Sequence, residues 1–468
     1  MSCMRPILSV VLVIRVLTAF SVVSAQAQPA PQVFTLDEAI QYAVDHYPTV
    51  RAALEEVNAS TAGVDIAHAA YLPRLDSTWQ SNRATANNIF GQVLPQGIIP
   101  ALSGPVLPSA SSRSVWGSAT GALLSWEPFD FGLRHAGVVG AEAGLTQARA
   151  GETLTRLDVQ NAVALAFLGV LGAQRAAAAA QADLDRRDVL LRSARTLVDN
   201  QLRPGADASR AEAERAAAQT RLSQAQQTST IAQATLSRVL GVTTVAVTIA
   251  GDQLLTQIPP ADIPPAAAST HPLAQVRQAT VDQARSLEDI LARTDFPRVL
   301  IQSSVFARGS GANPNGGLDG GIDGLGLDRT NWAAGIQILF PNVFDFATLR
   351  ARKAAAAASE RASAALYDEA LLTITNEQQT AAALLQTTRA IAANTPVELA
   401  AAQQSETQAR ARYDAGLASV IEVADAQSLL AQAEVQDQLA RIDVWRALLA
   451  AAVARGDLTA FVNLVRQP

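Results

Sequence analysis

Ser125-Trp126-Glu127-Pro128-Phe129-Asp130-Phe131-Gly132-Leu133-Arg134 reads as a junction between two kinds of structure. An alternating, strand-like run reaches a proline, which cannot continue a sheet ladder, and a Phe-Asp-Phe turn then opens a very long Ala-rich pattern at helical spacing. The same order returns in Leu339-Phe340-Pro341-Asn342-Val343-Phe344-Asp345-Phe346, so the sequence is a repeat.

Upstream of the first junction, Phe34 to Ile40 reads as a capped helix start, with Thr35 as N-cap and Glu38 as its reciprocal partner. Pro48 opens a second helix to about Ala70, and Leu72-Pro73-Arg74 stops it. Leu75 to Arg83 and Ser114 to Trp126 are strand candidates, separated by a long Asn-, Gly-, Pro- and Ser-rich loop. Downstream, Leu133 to about Val198 holds no proline and predicts a helix of about 100 Å, which needs partners along its length. Arg203-Pro204-Gly205 breaks it, and Ser209 with Glu212 predicts the capped start of a returning helix to about Leu240.

The second half starts over. His271-Pro272 answers Tyr47-Pro48, Asp289-Ile290 answers Asp65-Ile66, and Phe296-Pro297-Arg298 answers Leu72-Pro73-Arg74, all at one shift. Val299 to Ala307 and Thr330 to Leu339 are the third and fourth strand candidates, followed from about Thr348 by another long helix. Pro396 is expected to kink that helix, Tyr413-Asp414-Ala415-Gly416 to end it, and Ser419 with Glu422 to cap its return. The boundaries expected are a signal peptide over 1–27, a first repeat over 28–250, a Pro-rich linker over 251–270, a second repeat over 271–455 and a C-terminal tail over 456–468.

Composition limits the function. Of 468 residues 49% are hydrophobic and 17% charged, as in a folded protein, and the net charge of -6 with no basic stripe argues against nucleic acid. Arg5, the apolar run from Ile7 to Val23 and small residues at Ala25 and Ala27 predict a secretory signal cleaved after one of those alanines. The only cysteine, Cys3, would leave with it, taking thiol chemistry away. No other stretch looks apolar enough for a transmembrane helix, so a membrane-spanning form must use strands. Four strands of about ten residues are long enough to cross a membrane when tilted, yet too few to close a barrel, and lipid tolerates no open edge. The chain would have to oligomerise.

These residues resemble the TolC-like outer-membrane efflux family over nearly the whole mature chain. The internal duplication carries the resemblance, together with the Leu-Pro-x-Leu strand entrance at Leu72 to Leu75, the Pro-Phe-Asp-Phe-Gly exit at Pro128 to Gly132 and the Gly-x-x-Ser tip at Gly416 to Ser419. The resemblance implies a mainly α, internally duplicated fold with long helical hairpins forming a periplasmic barrel. It also implies a homotrimer whose four strands per chain build a twelve-stranded β-barrel in the outer membrane. As pore gate it implies Glu422 and Asp425, rings of carboxylates favouring cations, with Tyr413 holding the tips together. As tips for docking a periplasmic membrane-fusion adaptor it implies Gly205, Gly416, Leu417 and Ser419, with an inner-membrane pump engaged indirectly. Ala418 stands where some relatives carry a basic locking residue, and Glu212 fits the first-half acidic position only after a one-residue insertion.

Each of these residues also has a plainer reading. Glu422 is the capping partner of Ser419, and the tip glycines suit helix ends. Gly316 to Gly324 reads as a surface loop rather than a calcium repeat, and His46, His68, His135 and His271 form no metal pair. Trp79, Trp116, Trp126, Phe306 and Trp332 fit interfacial girdles better than sheet core. No nucleophile elbow or phosphate loop is present, so neither an enzyme nor a cofactor is expected. A passive export channel is the expectation; a soluble periplasmic helical scaffold is the alternative.

Overall fold

The computed structural model describes residues 33–85, 112–242, 247–256, 258–260, 262–313, 315, 317–341 and 345–466. The expected signal peptide over 1–27 and most of the first inter-strand loop lie outside these residues. The first repeat runs through β1 (Val33–Phe34), α1 (Leu36–His46), α2 (Pro48–Ala69), β2 (Arg74–Thr85), β3 (Ser114–Phe129), α3 (Leu133–Asp199) and α4 (Gly205–Leu240). β4 (Thr248–Ile249) and α5 (Gln253–Thr256) lead to α6 (Pro272–Arg293), β5 (Arg298–Ser310), β6 (Arg329–Leu339), α7 (Phe346–Asp414), α8 (Val420–Arg455) and α9 (Thr459–Arg466).

The duplication is geometric. α2 and α6 each span 22 residues with proline at N1. Their caps differ: His271 Nδ1 accepts from the Leu273 N–H at 3.1 Å, whereas Tyr47 has no side chain able to do so. α4 and α8 each span 36 residues and end on left-handed glycines, Gly241 and Gly456. The capping box of Thr35 and Glu38 forms as the sequence predicts.

β2, β3, β5 and β6 form one antiparallel sheet in that order. Side chains alternate across a sheet, so the register sorts every residue to one of two faces. One face carries Leu75, Trp79, Leu124, Trp126, Ile301, Val305, Trp332 and Ile336, of which Trp79 is 71% and Trp332 79% exposed. The other carries Asp76, Thr78, Gln80, Asn82, Gln302, Ser304, Asn331 and Gln337. An exposed apolar face opposite a polar one is the inverse of a soluble half-buried sheet and the pattern of a lipid-facing barrel wall. Trp116 shares the apolar face with the other tryptophans, whereas Phe306 does not belong with them. It is buried on the polar face, its ring 5.6 Å from the Arg308 guanidinium, so it is not part of an outer girdle.

Two local expectations are corrected here. β3 does not stop at the proline: Trp126 pairs with Ile301 and Phe129 with Val299, so Glu127-Pro128 together oppose Leu300 in a bulge that needs no N–H from Pro128. The β5–β6 loop is also more than a surface loop, since Ser118 Oγ donates to the carbonyls of Gly324 and Leu325 at 3.2 and 3.1 Å. Glycine is required where it docks; a Cβ on Gly324 would lie 1.7 Å from the Trp116 carbonyl oxygen.

The first junction is held by one carboxylate. Asp130 accepts from the N–H groups of Gly132 and Arg134 at 3.1 and 2.7 Å and from Arg134 Nε at 2.8 Å, so it caps α3 across a turn in which Phe131 and Gly132 are left-handed. Its second-repeat counterpart, Asp345, makes no such cap bond. Burial raises the Asp130 carboxyl, but the Arg134 side chain and these backbone donors outweigh it and hold the group below the ordinary carboxylate value. A lowered carboxylate contributes stability that is present above its unfolded pKa and is lost as pH falls through its folded one. Asp130→Ala is expected to destabilise the chain by about 2 kcal/mol at neutral pH. Thermal denaturation should show the difference from the parent protein shrinking below about pH 4.

The main core lies where α1, the middle of α3, the ends of α4 and α8, and α9 converge. Leu36, Ile40, Phe167, Leu171, Leu240, Leu448 and Phe461 are fully or almost fully buried there, and Trp445 Nε1 donates to the Leu254 carbonyl at 2.7 Å. α9 therefore gives the C-terminal segment a packed helix, and β1 pairs in parallel with β4 beside it. The expectation that no helix is apolar enough to cross a membrane is corrected: α3 is long and apolar enough by composition. Its Val163, Phe167, Leu168 and Leu171 are spent in this core, which is why the segment reads as apolar. α7 continues as one helix past Pro396, beside which the buried Thr395 hydroxyl lies 3.1 Å from an Asp437 carboxylate oxygen.

Candidate functional site

The two hairpins end side by side. In the second tip, Gly416 is left-handed and the Leu417 N–H closes back to the Arg412 carbonyl at 2.8 Å. The first tip makes the same turn with Gln201 at φ 60°, and the Leu202 N–H closes to the Leu197 carbonyl at 2.8 Å. Gln201, Leu202 and Arg203 therefore correspond to Gly416, Leu417 and Ala418. Gly205 is not a turn glycine; Pro204 supplies the extended residue before the helix, and Gly205 is simply the first residue of α4.

That correspondence corrects two further expectations. Ser209 does not cap the returning helix but lies inside α4, because Pro204 starts it earlier. The first-repeat counterpart of Glu422 is Asp207, third residue of α4 as Glu422 is third in α8, and no insertion is needed. Glu212 lies further along α4 and pairs with Arg195 at 3.3 Å. Leu202, 69% exposed, joins Leu417, 72% exposed, as an apolar tip residue outside the tip motif. The signal was present in the sequence as a Leu-Arg-Pro answering Leu-Ala-Ser.

Tyr413 is 1% exposed in a small core with Leu190, Leu191, Ala194, Ala211, Val420 and Val423. Arg203 reaches across from the first tip, its guanidinium 5.1 Å from the Tyr413 ring and its Nη2 donating to the Ala418 carbonyl at 2.9 Å. A cation at position 203 thus reaches position 418 of the same chain. The Tyr413 hydroxyl is buried without a hydrogen-bond partner, and burial followed by the Asp207 charge raises its pKa; the contact with Arg203 is made by the ring.

Glu422 accepts from the Ser419 N–H at 3.3 Å while the Ser419 hydroxyl accepts from the Glu422 N–H at 3.4 Å, the expected capping box. Its other oxygen is 3.9 Å from Arg412, both side chains being exposed. Asp425 is exposed one turn further along α8 and forms no ion pair among the described residues. Cap and open carboxylate thus share one helix face.

Above the tips, a buried ionic network joins the hairpins. Arg187, 1% exposed, contacts Asp183 and Glu214 at 3.2 Å each and donates to Ser428 Oγ at 2.8 Å. Arg221 also reaches Asp183 at 2.9 Å, and Arg186 makes a bidentate pair with Glu434 at 3.0 and 2.8 Å. Among the described residues no group of His, Cys, Asp and Glu is placed to hold a metal.

A two-faced sheet whose outer strands have no partner on one side among the described residues, continued by helices about 100 Å long, defines a membrane channel subunit in which strands span the bilayer and helices extend from it. The chain belongs to the outer membrane efflux protein family, whose model matches residues 39–242 and 263–456. Its architecture is that family's membrane β-barrel continued by a periplasmic helical barrel, so the hairpins lie in the periplasm. Solved structures share this fold. The chain is similar to the outer membrane protein VceC of Vibrio cholerae, at 18% identity and TM-score 0.70, with 90% of this chain and 96% of that one covered. It is similar to the CmeC outer membrane channel of Campylobacter jejuni, at 14% identity and TM-score 0.73, with coverages of 92% and 89%. For the open state of the Neisseria gonorrhoeae MtrE channel the values are 18%, 0.72, 90% and 89%. No curated protein sequence matches the chain.

Proposed function

We propose that three copies of this chain form a passive export conduit, receiving cargo from a periplasmic adaptor and an inner-membrane pump and releasing it outside. The observation that carries the reading is the open sheet: β2 and β6 have no partner strand on their outer sides among the described residues, while the apolar face stands exposed. Pairing β6 of one copy with β2 of the next satisfies both edges and turns the apolar face to lipid. Twelve strands result, enough to close a barrel.

In this reading the threefold tip carries rings of Glu422 and Asp425 at the entrance, and Leu202, Leu417 and the Ser419 cap meet the adaptor. Rings of carboxylates favour cations and bind divalent ones most strongly. The conduit performs no chemistry on its cargo. Planar-bilayer recording of the purified mature protein is expected to show stable cation-selective conductance that divalent cations block from the helical end. Glu422→Gln with Asp425→Asn should weaken that block about tenfold or more. Conductance with unchanged block removes the gate assignment, whereas a detergent-independent monomer without conductance supports the soluble scaffold instead.

A further inference from the structure

Of all the paired side chains that the register sends to the apolar face of the sheet, Arg83 alone carries a charge. It is exposed and lies directly opposite Trp116, with its guanidinium 5.9 Å from the centre of that ring. Its Nε donates to Ser114 Oγ at 3.1 Å, and among the described residues it forms no ion pair with a carboxylate. The sequence around it supplies none either, since Ser77 to Trp126 holds no Asp or Glu. A guanidinium fork in this setting matches the oxygens of a phosphate group.

The β5–β6 loop marks the depth at which this cation stands. It crosses the apolar face at the rung of Ser81, Ser118 and Gly309, where Ser118 Oγ donates to the Gly324 and Leu325 carbonyls. Gly309 leaves the loop no more room than it needs, since a Cβ there would lie 1.8 Å from the Gly326 carbonyl oxygen. Irregular backbone does not lie exposed in the hydrocarbon of a bilayer, so the hydrocarbon ends on the helix side of this rung. Arg83 and Trp116 form the next rung of the same face away from the helices, about 7 Å further along the strands. That is headgroup depth, where tryptophan is favoured and a guanidinium on a lipid-facing wall costs little.

We propose that Arg83, laid against Trp116, binds the phosphate of a lipid headgroup in the leaflet around the strand ends away from the helices, which is the outer leaflet. The proposal rests on the trimeric channel reading, since a closed barrel turns this face to lipid and threefold symmetry gives three such contacts per channel. Charge complementarity selects the headgroup. A phosphate monoester presents several oxygens to the fork, whereas a zwitterionic headgroup brings its own cation up to Arg83. The Trp116 ring supplies an apolar surface beside the charge, suited to the boundary between headgroup and acyl chain. Three such contacts fix the depth of the barrel at its outer end.

The test is native mass spectrometry of the purified mature trimer in detergent, with dioleoyl phosphatidic acid or dioleoyl phosphatidylcholine added at equal concentration. Phosphatidic acid is expected to be retained about tenfold more tightly, one copy per subunit, as one charge-assisted contact implies. Arg83→Gln should lower its retention to that of phosphatidylcholine, and Arg83→Lys, which keeps the charge, should retain part of the preference. Trp116→Leu provides an independent variant should Arg83→Gln fail to assemble, with retention severalfold weaker than in the parent. Equal retention of both lipids by the parent, or an unchanged preference in assembled trimers of either variant, overturns the contact while leaving the channel in place. Displacement of the lipid by inorganic phosphate at matched concentration also overturns it, because the site would then take a free anion. So does an Arg83→Gln trimer that dissociates more readily yet keeps the lipid preference, because the guanidinium would then pair with Asp328 of the partner subunit across the seam. A protein that stays monomeric in every detergent counts against the trimeric reading itself and is a distinct result.

Discussion

Arg203→Ala is expected to raise the fraction of time the channel spends in high-conductance states by about ten- to a hundredfold, the equilibrium equivalent of losing about 1.5 to 3 kcal/mol. The side chain is a polar tie between the two tips of one subunit, beside their shared apolar core: it donates to the Ala418 carbonyl at 2.9 Å and lies over the Tyr413 ring at 5.1 Å. Any movement that separates the second tip from the first must break both. Alanine removes both contacts without disturbing the turn, which is closed by backbone bonds from Gln201 and Leu202. Tyr413→Phe is the informative companion. The Tyr413 hydroxyl is buried and unpaired, so its loss should leave gating unchanged and stability equal or slightly higher. Tyr413→Ala, by contrast, would open a cavity costing about 3 to 5 kcal/mol. Single-channel recordings in which Arg203→Ala behaves as the parent while Tyr413→Phe opens the channel would contradict this assignment of the clamp.

Arg187→Ala should be the most destabilising loss of an ion pair in the hairpins, at about 3 kcal/mol, the lower end expected for breaking a buried ion pair. The lower end applies because Asp183 keeps Arg221 at 2.9 Å, whereas Glu214 loses one of two arginines and Ser428 its donor. Arg187→Met, which fills the space, should cost less, and combining it with Asp183→Asn should cost less than the sum of the two. Urea denaturation of the detergent-solubilised trimer measures this, and the effect should persist at high salt, since buried pairs are little screened. Additive costs in the double variant would show that Arg187 and Asp183 do not act together.

Much of this architecture was legible because it is written in local, periodic signals. The proline-marked helix starts at Pro48 and Pro272, the strand alternation, the glycine ends at Gly416 and Gly241 and the shared register of the halves depend on backbone preferences a few residues long. The same signals misled where a competing local feature won. Ser209 has a capping-box spacing, but Pro204 fixes the helix start five residues before Ser209. Pro128 looked like a stop, but a bulge carried β3 past it. The apolar middle of α3 reads as buried in either protein or lipid, and only its packing against α1, α4 and α8 distinguishes them.

The candidate site divides in the same way. Glu422 and Ser419 could be paired from sequence because a capping box spans three residues. Arg203 could not be joined to Tyr413 and Ala418, nor Arg187 to Ser428, because those partners are more than two hundred residues apart and meet only when two hairpins lie together. The two faces of the sheet needed the register as well, since one residue of slip would exchange the tryptophans with the polar set. By itself the sequence determined the repeat, the order of the long elements, most of their ends and the four strands of the main sheet, all consequences of short-range sterics and periodicity. The tertiary structure alone decided which cation bridges the tips and which face of the sheet is apolar. It also set Arg83 beside Trp116, because such choices follow from contacts between distant segments that no local preference encodes.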